Sequence, residues 1–195
     1  MGLDSVELVM EVEKYFSISI PDKEAEKAYS VGKLVDCVGN ILGIYKYDFD
    51  LRENFFEEIK EQLQQITGNK QEYIITDKVK DTFNIDDIAL VIQLENLLNF
   101  ELPGISKSES KNTMLFEKMK TWINFNPNFD FENIRWKKYL DVVLAYNLEK
   151  IINPKSINSK YEIYIALMRI IVDKVGVDYF EIALEKSFTD DLGVD

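Results

Sequence analysis

The chain has 195 residues, 46% of them apolar, enough for one large domain or two to three small ones. Lys and Arg number 23 against 35 Asp and Glu, a formal charge of −12 that argues against nucleic acid or an anionic membrane and favours basic protein partners. Histidine is absent, which excludes Ser-His-Asp and Cys-His triads and most catalytic zinc sites.

The single cysteine, Cys37, has no partner for an intramolecular disulfide, as expected in a reducing cytoplasm. The first residues carry acids where a secretory leader carries basic residues, so no leader is expected. Val6 occupies the place where a myristoylation signal needs Ser or Thr. No apolar run approaches the roughly 18 residues of a membrane-spanning helix.

With 8 Gly and 4 Pro, the chain reads as mostly helical. Leu3, Val6, Val9, Met10 and Phe16 fall close to one face of a first helix, which Ile18, Ile20 and Pro21 end in extended chain. Asp22 to Glu26 adds one turn. Ser30 is placed to cap a helix over 31–42, with apolar Val31, Leu34, Val35, Val38 and Leu42, and Gly43 to stop it. Residues 45–51 read as an aromatic, acidic linker. Helices follow over 55–66, 85–98 and 115–123, then an Asn-rich break around Pro127. One long amphipathic segment spans 134–152, ended by Asn153-Pro154, and a last helix covers 161–175, closed by Gly176. Residues 177–195 read as loop with one turn.

An internal repeat stands out. Shifted by 82 residues, Leu3–Pro21 falls on Ile85–Pro103 without a gap. Asp4/Asp86, Leu8/Leu90, Val9/Val91, Glu13/Glu95 and Pro21/Pro103 are identical, and seven more positions stay apolar. Generic amphipathicity does not demand the shared Glu or the shared Ile/Leu-Pro exit.

The run LDSVELVMEVEKYFSISIPDKEAEKAYSVGKLVDCV resembles the second half of an acyl carrier protein: its helix II, the loop ending Ile-Pro-Asp, a short third helix and a Ser-Val-started fourth. The run IVDKVGVDYFEIALEKSFTDDLGVD resembles the first half, whose long loop ends in Asp-Asp-Leu-Gly-x-Asp. Residues 53–123 resemble a complete, diverged module. The resemblance implies an all-α chain of acyl-carrier-like antiparallel helical bundles. Residues 1–44 are then the second half of one module, 160–195 its first half, and 124–159 a connecting helix. Three arrangements satisfy this order: a permuted carrier whose ends reunite, terminal complementation between copies in a homo-oligomer, or a segment of a longer tandem array.

The family acts through 4'-phosphopantetheine esterified to a serine at the start of helix II, and the cofactor's thiol carries the chemistry. Ser5, in Gly2-Leu3-Asp4-Ser5-Val6, is the candidate attachment residue. Spacing departs from the family pattern. Its serine precedes the loop proline by 19 residues, and that count from Pro21 and from Pro103 reaches Gly2 and Asn84.

Asp4, Glu7 and Glu13 are the candidate docking acids, since basic patches on partner enzymes recognise this helix in the family; the first turn also suits acids through the helix dipole. Expected partners are a phosphopantetheinyl transferase or acyl-transferring enzymes. No metal site is expected: Asn124, Asn126, Asn128 and Asp130 alternate like calcium ligands, but Arg135 stands where the bidentate Glu belongs. Trp122, Trp136, Tyr139 and Tyr146 read as packing, and Cys37 as a small buried thiol. The sequence thus reads as a non-enzymatic, cytoplasmic carrier-like protein of fatty acid or polyketide biosynthesis, docking ligases or biosynthetic enzymes; the alternative is an armless adaptor.

Overall fold

A computed structural model describes residues 3–70, 72–84, 87–103 and 133–194, and for Leu3 the backbone alone. Every regular element among them is helical, with two isolated antiparallel bridges, so the all-α class holds. Two compact units divide the chain: unit 1 joins Met1–Leu51 to Asn147–Asp195, and unit 2 is Arg52–Tyr146.

Unit 1 begins with α1 (Leu3–Phe16). Its buried stripe is Leu8, Val12 and Phe16, spaced by four residues. Val6 and Met10, expected on the core face, are instead 41% and 61% exposed, and Val9 is half-buried. The apolar residues of α1 cover two faces, and only one packs inward. The helix ends at Ser17, whose φ of 54° is left-handed, and Pro21 leads into the short α2 (Asp22–Ala25).

Ser30 caps α3 (Val31–Leu42) by accepting the Lys33 N–H at 3.4 Å, and Gly43 at φ 74° ends it. The chain over 44–49 is pinned: the Lys160 N–H donates to Lys46 O at 2.8 Å, and the Phe49 ring lies 5.1 Å from Tyr161. The last long helix of the chain is capped by Ser159 and stopped by Gly176.

Unit 1 is completed from the other end of the sequence. The segment read as one amphipathic helix over 134–152 is two, α7 (Trp136–Tyr146) and α8 (Leu148–Ile151), and only α8 belongs here. The long α9 (Lys160–Val175) then packs against both α1 and α3. The C-terminal loop follows, burying Phe180, Ile182, Phe188, Leu192 and Val194. It is stitched to the start of α3. The Val31 and Gly32 N–H groups donate to Lys186 O and Leu184 O at 3.0 and 2.8 Å, and the Phe188 N–H donates to Tyr29 O at 3.0 Å. Each large side chain buried at this junction contributes on the order of 1.5–3 kcal/mol. One chain therefore assembles this bundle from its N- and C-terminal segments. The ends themselves, Met1 and Asp195, lie outside the described residues.

Unit 2 contains α4 from Arg52 onward (the helix runs Asp50–Thr67), α5 (Val79–Thr82), α6 (Ile88–Leu98) and α7. Phe55, Phe56, Ile59 and Leu63 form the buried stripe of α4. Phe56, Tyr73, Phe83 and Tyr139 surround Trp136, whose ring stacks on Tyr73 with centroids 5.7 Å apart. The Trp136 Nε1–H donates to Thr82 Oγ1 at 2.7 Å, so the indole is both packed and satisfied. Because Trp136 and Tyr139 belong to this core, unit 2 extends to Tyr146, beyond the 123 at which the sequence reading closes the middle module. Arg52 and Asp141, both buried, pair at 3.3 Å. The expected helix over 115–123, Trp122 and the Asn124–Asp130 alternation lie outside the described residues.

The two units repeat each other in their bonds. In unit 2 the Trp136 and Lys137 N–H groups donate to Asp77 O and Ile75 O, and the Val79 N–H donates to Ile134 O. The isolated bridge Lys78–Arg135 matches Ser30–Ser187 in unit 1.

Candidate functional site

The first turn of α1 holds the residues the sequence singles out. Asp4, Val6, Glu7, Met10 and Lys14 are its exposed positions, and Ser5 is half-buried between Asp4 and Val6. Among the described residues the Asp4 and Glu7 carboxylates have no ion pair or hydrogen bond, which leaves both charges facing water beside the exposed Val6 and Met10.

The other acids of α1 are engaged within the fold. Glu11 bonds Lys14 at 3.1 Å and Lys174 of α9 at 3.3 Å, and these two contacts hold its carboxyl below the usual Glu range. Glu13, expected to be a docking acid, accepts the Ile20 N–H at 2.6 Å. That bond closes the loop between α1 and α2, so a backbone role accounts for Glu13. Glu95 does the same in unit 2, accepting from Leu102 N at 2.9 Å. Both pairs obey the 82-residue shift, as do the left-handed Ser17 and Asn99.

The same shift places Asp87 opposite Ser5 and Asn84 opposite Gly2. Asp87 is the N-cap of α6, accepting the Leu90 N–H at 3.1 Å. Asn84 is exposed and carries an amide, which has no hydroxyl to esterify. Neither of these two positions of unit 2 therefore offers a hydroxyl that could hold a phosphopantetheine arm. In unit 1, Gly2 lies outside the described residues, and Ser5 is the one aliphatic hydroxyl of α1.

Between α1 and α2 runs an open groove of about 680 Å³ whose apolar lining includes Val6, Val9, Met10, Ile20 and Ala25. The sequence reading assigns Val6 and Met10 to the core and so misses this groove. The discriminating signal is their offset from the Leu8–Val12–Phe16 stripe. Cys37, expected to be buried, is half-buried; burial and the nearby Glu24 push its thiol pKa up, which keeps it protonated and poorly nucleophilic at neutral pH. No group of three metal-ligating side chains, and no helix long and apolar enough to cross a membrane, occurs among the described residues.

Fold and site together define an all-α protein built from acyl-carrier-like bundles. A stretch of 37 residues is 53% identical to the mitochondrial acyl carrier protein of Neurospora crassa, covering 19% of this chain and 28% of that protein. A stretch of 39 residues is 50% identical to the acyl carrier protein of Thermosynechococcus vestitus, covering 20% of this chain and 48% of that one. The chain thus contains an acyl-carrier-like region and spans less than half the length of either relative. No family model and no solved structure matches it.

Proposed function

We propose that this protein is an acyl-carrier-like docking protein whose helix α1 is read by basic partner enzymes of acyl biosynthesis or ligation. The observation that carries this reading is the pairing on α1 of two outward carboxylates, Asp4 and Glu7, with the exposed apolar side chains Val6 and Met10. Acids steer a basic partner during encounter, and apolar contacts hold it afterwards. A phosphopantetheinyl transferase or an acyl-transferring enzyme of fatty acid or polyketide synthesis is the partner of matching chemistry, working in the cytoplasm. In this reading unit 1 is a carrier module split across the chain termini, and unit 2 is its diverged companion.

Ser5 is the residue of α1 that would hold a 4'-phosphopantetheine arm, which supplies a thiol for thioester chemistry when bound. The α1–α2 groove offers apolar contact to an acyl chain. A second reading, an armless adaptor, is favoured by the amide of Asn84 in unit 2 and by the half-buried setting of Ser5 in unit 1. Intact mass after incubation with coenzyme A and a phosphopantetheinyl transferase separates the two. Gain of one arm, abolished by Ser5→Ala, supports the carrier; an unchanged mass leaves the adaptor.

A further inference from the structure

The outward stripe of α1 changes sign along its length. Asp4, Glu7, Glu11 and Lys14 follow one another at spacings of three and four residues, so they share one helix face. Asp4 and Glu7 face water at the N-terminal end. At the other end Glu11 lies between two ammoniums, Lys14 at 3.1 Å and Lys174 of α9 at 3.3 Å. Two cations against one anion leave a net positive charge there, and the Lys14 side chain is 77% exposed. Val6 and Met10, both exposed, run beside the stripe over the same length.

Distance decides whether a partner meets one cancelled charge or two separate ones. At about 1.5 Å per residue, Lys14 lies roughly 10 Å along the axis from Glu7 and roughly 15 Å from Asp4. The screening length at physiological salt is about 8 Å, so the two ends act separately. Helix dipoles account for an acid in the first turn of α1 and for a lysine in the last turn of each helix. They do not account for the convergence of two such lysines on the face that carries Asp4 and Glu7. Nor does the fold demand it, since α6 places Gln93 and Asn96 where α1 has Glu11 and Lys14.

We propose that α1 and Lys174 form a two-ended docking surface. Its partner sets basic groups on Asp4 and Glu7, an acidic group on Lys14 and Lys174, and apolar side chains on Val6 and Met10. Opposite charges at the two ends fix the direction in which the partner lies along the helix, because a reversed partner meets like charge at both. A uniformly basic partner is disfavoured at the lysine end for the same reason. The inference rests on the docking reading of α1 and adds to it the charge pattern of the partner.

Two synthetic helical peptides of equal length and identical apolar stripe test it, by fluorescence anisotropy with the full chain at about 0.15 M salt. One carries Lys along its whole polar flank, and the other carries Lys on one half and Glu on the other. Lys14→Gln with Lys174→Gln should shift the ratio of the two affinities toward the all-Lys peptide by about threefold or more. Lys14→Arg with Lys174→Arg keeps both charges and should retain the original ratio. Lys33→Gln with Lys46→Gln makes the same change in net charge at exposed positions elsewhere in unit 1, and should also leave the ratio unchanged. Asp4→Lys with Glu7→Lys should weaken the all-Lys peptide. If neither peptide binds, or the all-Lys peptide is indifferent to that reversal, the docking reading falls and this inference with it. If the reversal matters but the Gln pair at Lys14 and Lys174 leaves the ratio unmoved, or either control moves it equally, the inference alone is overturned.

Discussion

The Ile20 N–H donates to Glu13 Oε1 at 2.6 Å, tying the loop after α1 back onto the helix. The Leu102 N–H donates to Glu95 Oε1 at 2.9 Å in the same way, 82 residues on. The Glu13 carboxylate is engaged by its own backbone, whereas Asp4 and Glu7 face water. Glu13→Ala should destabilise unit 1 by about 1.5–3 kcal/mol, the usual range for a hydrogen bond to a charged group. Glu7→Ala should stay within about 0.5 kcal/mol. Urea titrations of the two variants make the comparison, and equal effects would remove the distinction.

The buried pair Arg52–Asp141 gives a larger signal in unit 2. Asp141→Ala removes the buried carboxylate that faces the Arg52 guanidinium and should cost about 3–5 kcal/mol. Arg52→Met combined with Asp141→Leu should recover most of that loss, because an apolar pair of similar volume carries no desolvation penalty. Thermal melts of the single and double variants check this order.

Acid should loosen unit 1 through two lowered carboxyls. The Ser187 N–H and the Lys186 ammonium hold Asp191 below its ordinary value of 3.8, and Lys14 with Lys174 holds Glu11 below 4.5. A group lowered in the folded state stabilises above its unfolded pKa, and loses that contribution as pH falls through the folded one. Stability should therefore be level above about pH 4.5 and decline below it. Glu11→Gln with Asp191→Asn should flatten the decline, followed by denaturant titration at successive pH values.

Alkali should act on unit 2. Burial, with Glu95 nearby, pushes the Tyr139 phenol far above 10, and burial with Glu57 raises Tyr73. These phenols favour the folded state while neutral, and that advantage disappears as pH rises past the unfolded value near 10 toward the folded one. Their ionisation, read by ultraviolet absorbance, should coincide with loss of unit 2 structure. Tyr139→Phe should move unfolding to higher pH.

Helix ends were the most legible part of the fold, because their chemistry is local. Ser30 caps, and Gly43 and Gly176 stop, where a side-chain acceptor and left-handed backbone require them. Ser159 itself was missed, since Tyr161 carried the periodic signal. The repeat was legible too, and its shared Glu is explained by one bond made twice. The phase of α1 was not, since Val6, Val9 and Met10 are apolar on a second face and periodicity cannot say which face is covered. The break at Asn147 was equally hidden: no Pro or Gly marks it, and apolar spacing runs through it from Trp136 to Ile152. The stitching of Ser187 to Ser30 joins backbone from opposite ends of the chain and leaves no local pattern.

The most direct test of the docking reading is the association rate of the full chain with a purified phosphopantetheinyl transferase at low salt. Asp4→Lys with Glu7→Lys should slow association at least about tenfold, with melting temperature unchanged, and added salt should shrink the difference. An association rate indifferent to both reversals at low salt would contradict the reading, and leave Asp4 and Glu7 as ordinary solvated surface.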